Sequence, residues 1–164
     1  MSLPRRVVIT GYGMVTSLGP NTAETFSRAA RGESGIQWIR SFDTTGLPCR
    51  IGGEVNDQWL DGDPKTAKLE KFAARGVKMM MVATREATQR ANLEQISDRE
   101  AIGVALGAHG DNPRLEDILS LHRFYDGSQF NVAGLLKAQG YPYLHFYRRK
   151  PDMGMAVLAG AFNC

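Results

Sequence analysis

At 164 residues the chain is long enough for one domain with a substantial core, and 43% apolar with 23% charged residues is an ordinary soluble composition that excludes disordered and collagen-like classes. A net charge of +3, with no basic run longer than Arg148, Arg149 and Lys150, gives no nucleic-acid footprint. The longest apolar runs, MMMVA and MAVLAGAF, fall far short of the roughly 20 residues that cross a bilayer, so no membrane partner is expected.

The N-terminal MSLPRR leads into a β-branched run rather than a signal-peptide core, and two cysteines, Cys49 and Cys164, make neither a disulfide framework nor a metal cluster. A cytoplasmic location follows as the expectation. VVIT at 7–10 reads as a buried strand leaving into a tight loop punctuated by Gly11, Gly13 and Gly19. Asn21 then caps a helix, with Glu24 three residues on as in a capping box, Phe26, Ala29 and Ala30 as its apolar stripe, and Gly32 as its stop. IQWIRSFDTTGLP and CRIGGEV read as short extended segments, and NDQWLDGDPK as a polar connection.

Residues 65–93 carry the longest helical pattern: Leu69, Phe72, Gly76, Met80, Ala83, Ala87 and Ala91 recur at spacings of three or four without a proline. Met79 and Met81 add further apolar faces, which predicts a helix buried on several sides. AIGVALG at 101–107 has the pattern of a central strand covered on both faces. The preceding SDRE formally matches a capping box at Ser97 and Glu100, but Gly103, Val104 and Gly107 suit a strand, not a helix. A helix starting at Asn112 and Pro113 follows, then a short helix in SQFNVAGLLKAQG, an extended or looped aromatic YPYLHFYRR, and a last helix opened by Pro151 and Asp152. Strands alternating with helices indicate an α/β domain.

The chemistry these residues offer is sparse. TGYGMVTSLG follows a strand-like run, where glycines could let a phosphate approach a helix N-terminus, but the third glycine of G-x-G-x-x-G is replaced by Thr16. The competing reading is a glycine loop that simply turns the chain. His109, His122 and His145 lie far apart with no ligand spacing, so no metal or other cofactor is expected. Cys49 follows Pro48 in a loop, and Cys164 trails a helix C-terminus, where the dipole disfavours a thiolate; both read as inert thiols.

RRVVITGYGMVTSLGPNTAETFSRAARGESGI followed by FDTTGLPCRIGGEV resembles the N-terminus of the elongating β-ketoacyl-acyl carrier protein synthases. KFAARGVKMMMVATREATQRANL is similar to that family's long helix, AIGVALGAHG to a strand and glycine turn, and PDMGMAVLAGAFNC to the helix before a strand ending in Thr-Ala-Cys; residues 111–150 depart from the pattern. The resemblance implies an α/β thiolase-like fold, layered α-β-α with a mixed sheet, of which residues 1–164 would be an N-terminal ketosynthase-like domain that needs a C-terminal half or a partner to cover its apolar face.

It further implies decarboxylative Claisen condensation of acyl and malonyl thioesters in fatty acid or polyketide biosynthesis, with acyl carrier protein as partner and a homodimer or heterodimer as the assembly. Cys164 lacks the family's Thr-Ala pair and lies too early, so it is not the expected nucleophile; no catalytic residue is assigned, and the chain alone is expected to be inactive. Gly107 and Ala108 match the position where the family bounds its acyl pocket, or else they only make a turn. The alternatives are a noncatalytic subunit of the chain-length-factor type and a nucleotide-binding module.

Overall fold

The computed structural model describes residues 6–107, 115–138, 143–150 and 152–164. Its helices are α1 (Thr22–Ala30), α2 (Ala67–Glu70), α3 (Arg75–Arg90), α4 (Leu115–His122), α5 (Val132–Lys137), α6 (Tyr143–Arg148) and α7 (Met153–Phe162). A two-stranded antiparallel sheet pairs β1 (Ile36–Trp38) with β2 (Ile51–Gly53), Gln37 facing Gly52.

The core lies where α3 meets α7. Ala73, Ala74, Val77 and Met81 pack with Val157 and Leu158, and Leu69, Phe72, Val104, Leu106 and Phe162 close the edges. Val157 is only 2% exposed, the most enclosed large side chain of the cluster. The predicted helix over 65–93 is broken: Lys71 to Ala74 leave the helical path between α2 and α3, which lets Ala73 and Ala74 turn inward against the core. The aromatic stretch predicted as extended or looped instead forms α6, packed on α7. Tertiary contact overrides the β preference of its tyrosines and phenylalanine.

Local signals elsewhere act as expected. Asn21 accepts the Glu24 N–H at 2.9 Å and starts α1, and Gly32, at φ 74°, takes the left-handed conformation that ends it. Asn131 caps α5 in the same way, so the helix predicted from Ser128 begins later; the tight turn before it uses Gly127 at φ 101° and the Asp126 carboxylate, which accepts N–H groups of Ser128 and Gln129. The predicted start at Asn112 lies outside the described residues. Residues 97–100 form no helix, as the rejection of that capping box anticipated.

Two expected strands are not laddered among the described residues. Residues 7–10 take no regular structure and are open to solvent, Val7 at 94% and Ile9 at 88% exposure, rather than buried. Residues 102–107 alternate: Ile102, Val104 and Leu106 turn toward the helices, while Gly103, Ala105 and Gly107 turn outward. The segment is therefore covered on one face, not two. It forms no regular strand, and the hydrogen-bonded neighbours that a sheet requires are not among the described residues.

The stripe predicted on α1 also points outward. Phe26, Ala29 and Ala30 are exposed, and the buried residue of α1 is Thr25, whose hydroxyl lies 3.0 Å from that of Thr16. Ser17 is wedged beside the hairpin, where a Cβ at Gly35 would lie 2.2 Å from its hydroxyl. In the polar connection, residues Asp57–Leu60 form a 3-10 turn that buries Leu60 near α3, and Arg75 fastens it by an ion pair to Asp57 (2.8 Å) and a hydrogen bond to the Val55 carbonyl (2.7 Å). Farther along, Asp117 of α4 pairs with Arg149, and Arg148 donates to the Lys71 carbonyl.

Candidate functional site

α3 positions both the glycine loop and the apolar groove. On one side the glycine loop lies directly against its backbone: a Cβ on Gly11 would stand 2.1 Å from the Ala87 carbonyl oxygen, and one on Gly13 2.1 Å from that of Ala83. Only glycine permits such an approach. The space that a phosphate would need is thus filled by helix.

The donors at the start of α1 are also committed. The Glu86 carboxylate accepts from the Thr22 N–H (3.0 Å), the Thr22 hydroxyl (2.8 Å), the Met14 N–H (3.1 Å) and the Arg90 guanidinium (2.8 Å). Arg90 in turn lies over the Tyr12 ring, 4.6 Å from its centroid. Burial works against the charged carboxylate, yet the hydrogen bonds from Thr22 and Met14 and the charge of Arg90 outweigh it and hold Glu86 below the ordinary glutamate range. A carboxylate stands at this helix N-terminus where a nucleotide-binding fold would place a phosphate. The turn reading of the glycine loop is the one the geometry supports. Sequence reasoning passed over Glu86; its signal was that it is the single acidic residue of α3, set in VATREAT.

On another side of α3 an apolar groove of about 380 Å3 runs between Met80, Thr84 and Thr88, the segment Ile102 to Leu106, and Leu158 and Phe162 of α7. Cys164 stands at its edge, half-buried, its thiol 3.6 Å from the Phe162 carbonyl and following Asn163 in a left-handed conformation. Every described lining side chain but the cysteine is apolar or a threonine, so no acid or base faces that thiol across the groove. Cys49 is exposed, its thiol 3.4 Å from the Ile51 carbonyl.

Gly107 sits just past the groove on the exposed face, with nothing within 4 Å of the position a Cβ would take. Ala108 and His109 lie outside the described residues, as does the side chain of His145. His122 meets Tyr125 edge-on at 6.4 Å. Among the described residues, no three histidine, cysteine or acidic side chains gather at metal-binding distance.

The architecture is that of a thiolase-like α/β fold in part. It superposes on the ishigamide ketosynthase/chain length factor with a TM-score of 0.60 at 20% identity, covering 96% of this chain and 37% of that one. The sequence carries the assignment further: residues 4–135 match the family described as Beta-ketoacyl synthase, N-terminal domain, and the chain belongs to that family.

Relatives include the 3-oxoacyl-[acyl-carrier-protein] synthase 2 of Coxiella burnetii, 36% identical over 109 residues, or 63% of this chain and 25% of the relative. The chloroplastic 3-oxoacyl-[acyl-carrier-protein] synthase I of Arabidopsis thaliana is 32% identical over 111 residues, 63% of this chain and 22% of the relative. The tetracenomycin polyketide synthase ketoacyl synthase beta subunit of Streptomyces glaucescens is 47% identical over 55 residues, 34% of this chain and 13% of the relative. The chain thus spans a quarter or less of the length of these relatives.

Proposed function

We propose that this chain supplies the N-terminal part of a 3-oxoacyl-[acyl-carrier-protein] synthase, which condenses an acyl thioester with a malonyl thioester, with loss of carbon dioxide, in fatty acid or polyketide biosynthesis. The observation that carries the reading is the family match over residues 4–135. In such a reaction the acyl group first moves from its carrier protein to a cysteine, which divides a difficult carbon–carbon bond formation into two steps, and N–H donors hold the oxyanion that develops. Among the described residues, the groove beside Cys164 offers no base to form a thiolate and no acid to protonate a leaving group, and the nucleophile and its histidines are assigned to the remainder of the synthase. The role left to this chain is structural: α3 and the segment 102–107 form part of the wall, and Gly107 and Ala108 bound the acyl pocket. The proposed partners are acyl carrier protein and a second ketosynthase chain, in a homodimer or heterodimer, with the cytoplasm as the location.

The test is an assay for carrier-protein acylation and condensation with the chain alone and with the remainder of a ketosynthase supplied in trans. We expect no acyl transfer to Cys164 alone and condensation only in the complex. An acyl thioester on Cys164, followed by product, would overturn the assignment.

The likenesses to a ketoacyl synthase beta subunit and to a ketosynthase/chain length factor favour a second reading, a noncatalytic subunit that sets product length. A complex with an active ketosynthase whose product length shifts when Ala108 is enlarged would select it. Unchanged products would favour the first.

A further inference from the structure

The buried apolar side chains begin at Leu60; the described residues before it contribute none, and the apolar Phe26 of α1 is 73% exposed. Met14, Val15 and Leu18 are only half-buried, so residues 11–31 lean on α3 with little fully enclosed apolar surface. Contact between α1 and α3 is slight, and three features take its place: the close approach of Gly11 and Gly13, the link between Thr16 and Thr25 within the layer, and the Glu86 carboxylate. Glu86 alone reaches both the loop, at Met14, and the helix, at Thr22, from a third element.

We propose that Glu86 is an acid-labile latch: while ionised it docks the glycine loop and α1 on α3, and on protonation it releases them as a unit while the α3–α7 core stays folded. A neutral carboxylic acid is a weaker acceptor for three protein donors and no longer balances Arg90. Other ionisable groups at the junction are Arg90 on α3, Tyr12 on the loop, and on α1 Glu24, with its Cβ against Gly19, and Arg28, which donates to the Leu18 carbonyl. The sign follows from linkage. A carboxyl held below its ordinary value stabilises the docked state above pH 4.5, and that contribution is lost as pH falls through the lowered value.

The experiment is hydrogen exchange of the whole chain, read by mass spectrometry as protection factors for residues 14–31 and for α3 and α7, titrated from neutral pH to below pH 4. Protection of 14–31 is expected to be lost in an acid step that spares α3 and α7. Glu86→Gln is expected to leave 14–31 poorly protected at every pH, with no step. Thr22→Val keeps the carboxylate but removes a donor, so its step moves to higher pH, and it reports even if Glu86→Gln does not fold. Loss of all protection in one transition, a wild-type step in Glu86→Gln, or an unmoved step in Thr22→Val would overturn the latch.

Discussion

The two ends of α3 are attached to the rest of the chain by different physics. Toward its N-terminus, Val77 and Met81 are buried against α7, and the attachment scales with apolar area removed from water, about 25 cal/mol per Å2. Toward its C-terminus, Ala83, Ala87 and Glu86 meet the glycine loop through backbone contact and hydrogen bonds to a charge. The first attachment is insensitive to pH and intolerant of lost volume. The second tolerates no added volume and depends on ionisation. One helix thus carries a hydrophobic seam and a polar seam, and perturbations chosen for one should leave the other standing.

The largest effect is expected at the apolar seam. Val157→Asp would bury an unpaired carboxylate in the most enclosed position of the core and abolish cooperative unfolding in urea; Leu158→Ala, a milder version, should cost about 2–5 kcal/mol. Retention of both the core and wild-type stability by Leu158→Ala would mean that α7 is not an essential part of it.

Next comes Gly13→Ala. Its Cβ meets backbone oxygen rather than a side-chain tip, so the loop must move, at about 1–3 kcal/mol, and exchange protection should fall in residues 14–31 but not in α7. Uniform loss across both regions would merge the two seams into one cooperative unit. Gly154→Ala is gentler, because its Cβ would press on the movable Leu106 Cδ2 at 2.8 Å; a cost below about 1.5 kcal/mol with faster exchange in 102–107 is expected. The smallest effect is Asn21→Ala, about 1 kcal/mol of cap stability confined to α1. Circular dichroism together with exchange protection of α1 would measure it.

The same division governs what was legible beforehand. Asn21, Gly32 and Asn131 mark helix ends through local chemistry, and those helices were readable, as were the last helix and the pair of short extended segments that became β1 and β2. The break between α2 and α3 was not, because no glycine or proline marks it and only the burial of Ala73 and Ala74 explains it. α6 was misread because its aromatic residues favour strands unless a neighbour such as α7 holds them as a helix. VVIT and AIGVALG carry strand patterns whose fulfilment depends on neighbouring strands. Of the site, the place of Cys164 behind a helix end was readable, whereas Glu86 was missed because Met14 and Thr22, which it joins, lie more than 60 residues away in sequence.

The alternation along residues 102–107 has a consequence for solubility. The side left open carries Gly103, Ala105 and Gly107, so what faces water is mostly peptide backbone with a single methyl group rather than a bank of aliphatic side chains. Such a ledge is readily wetted, since amide groups accept water as willingly as they accept another strand. A strand laid against it could seat at backbone distance, with no bulky side chains to rearrange.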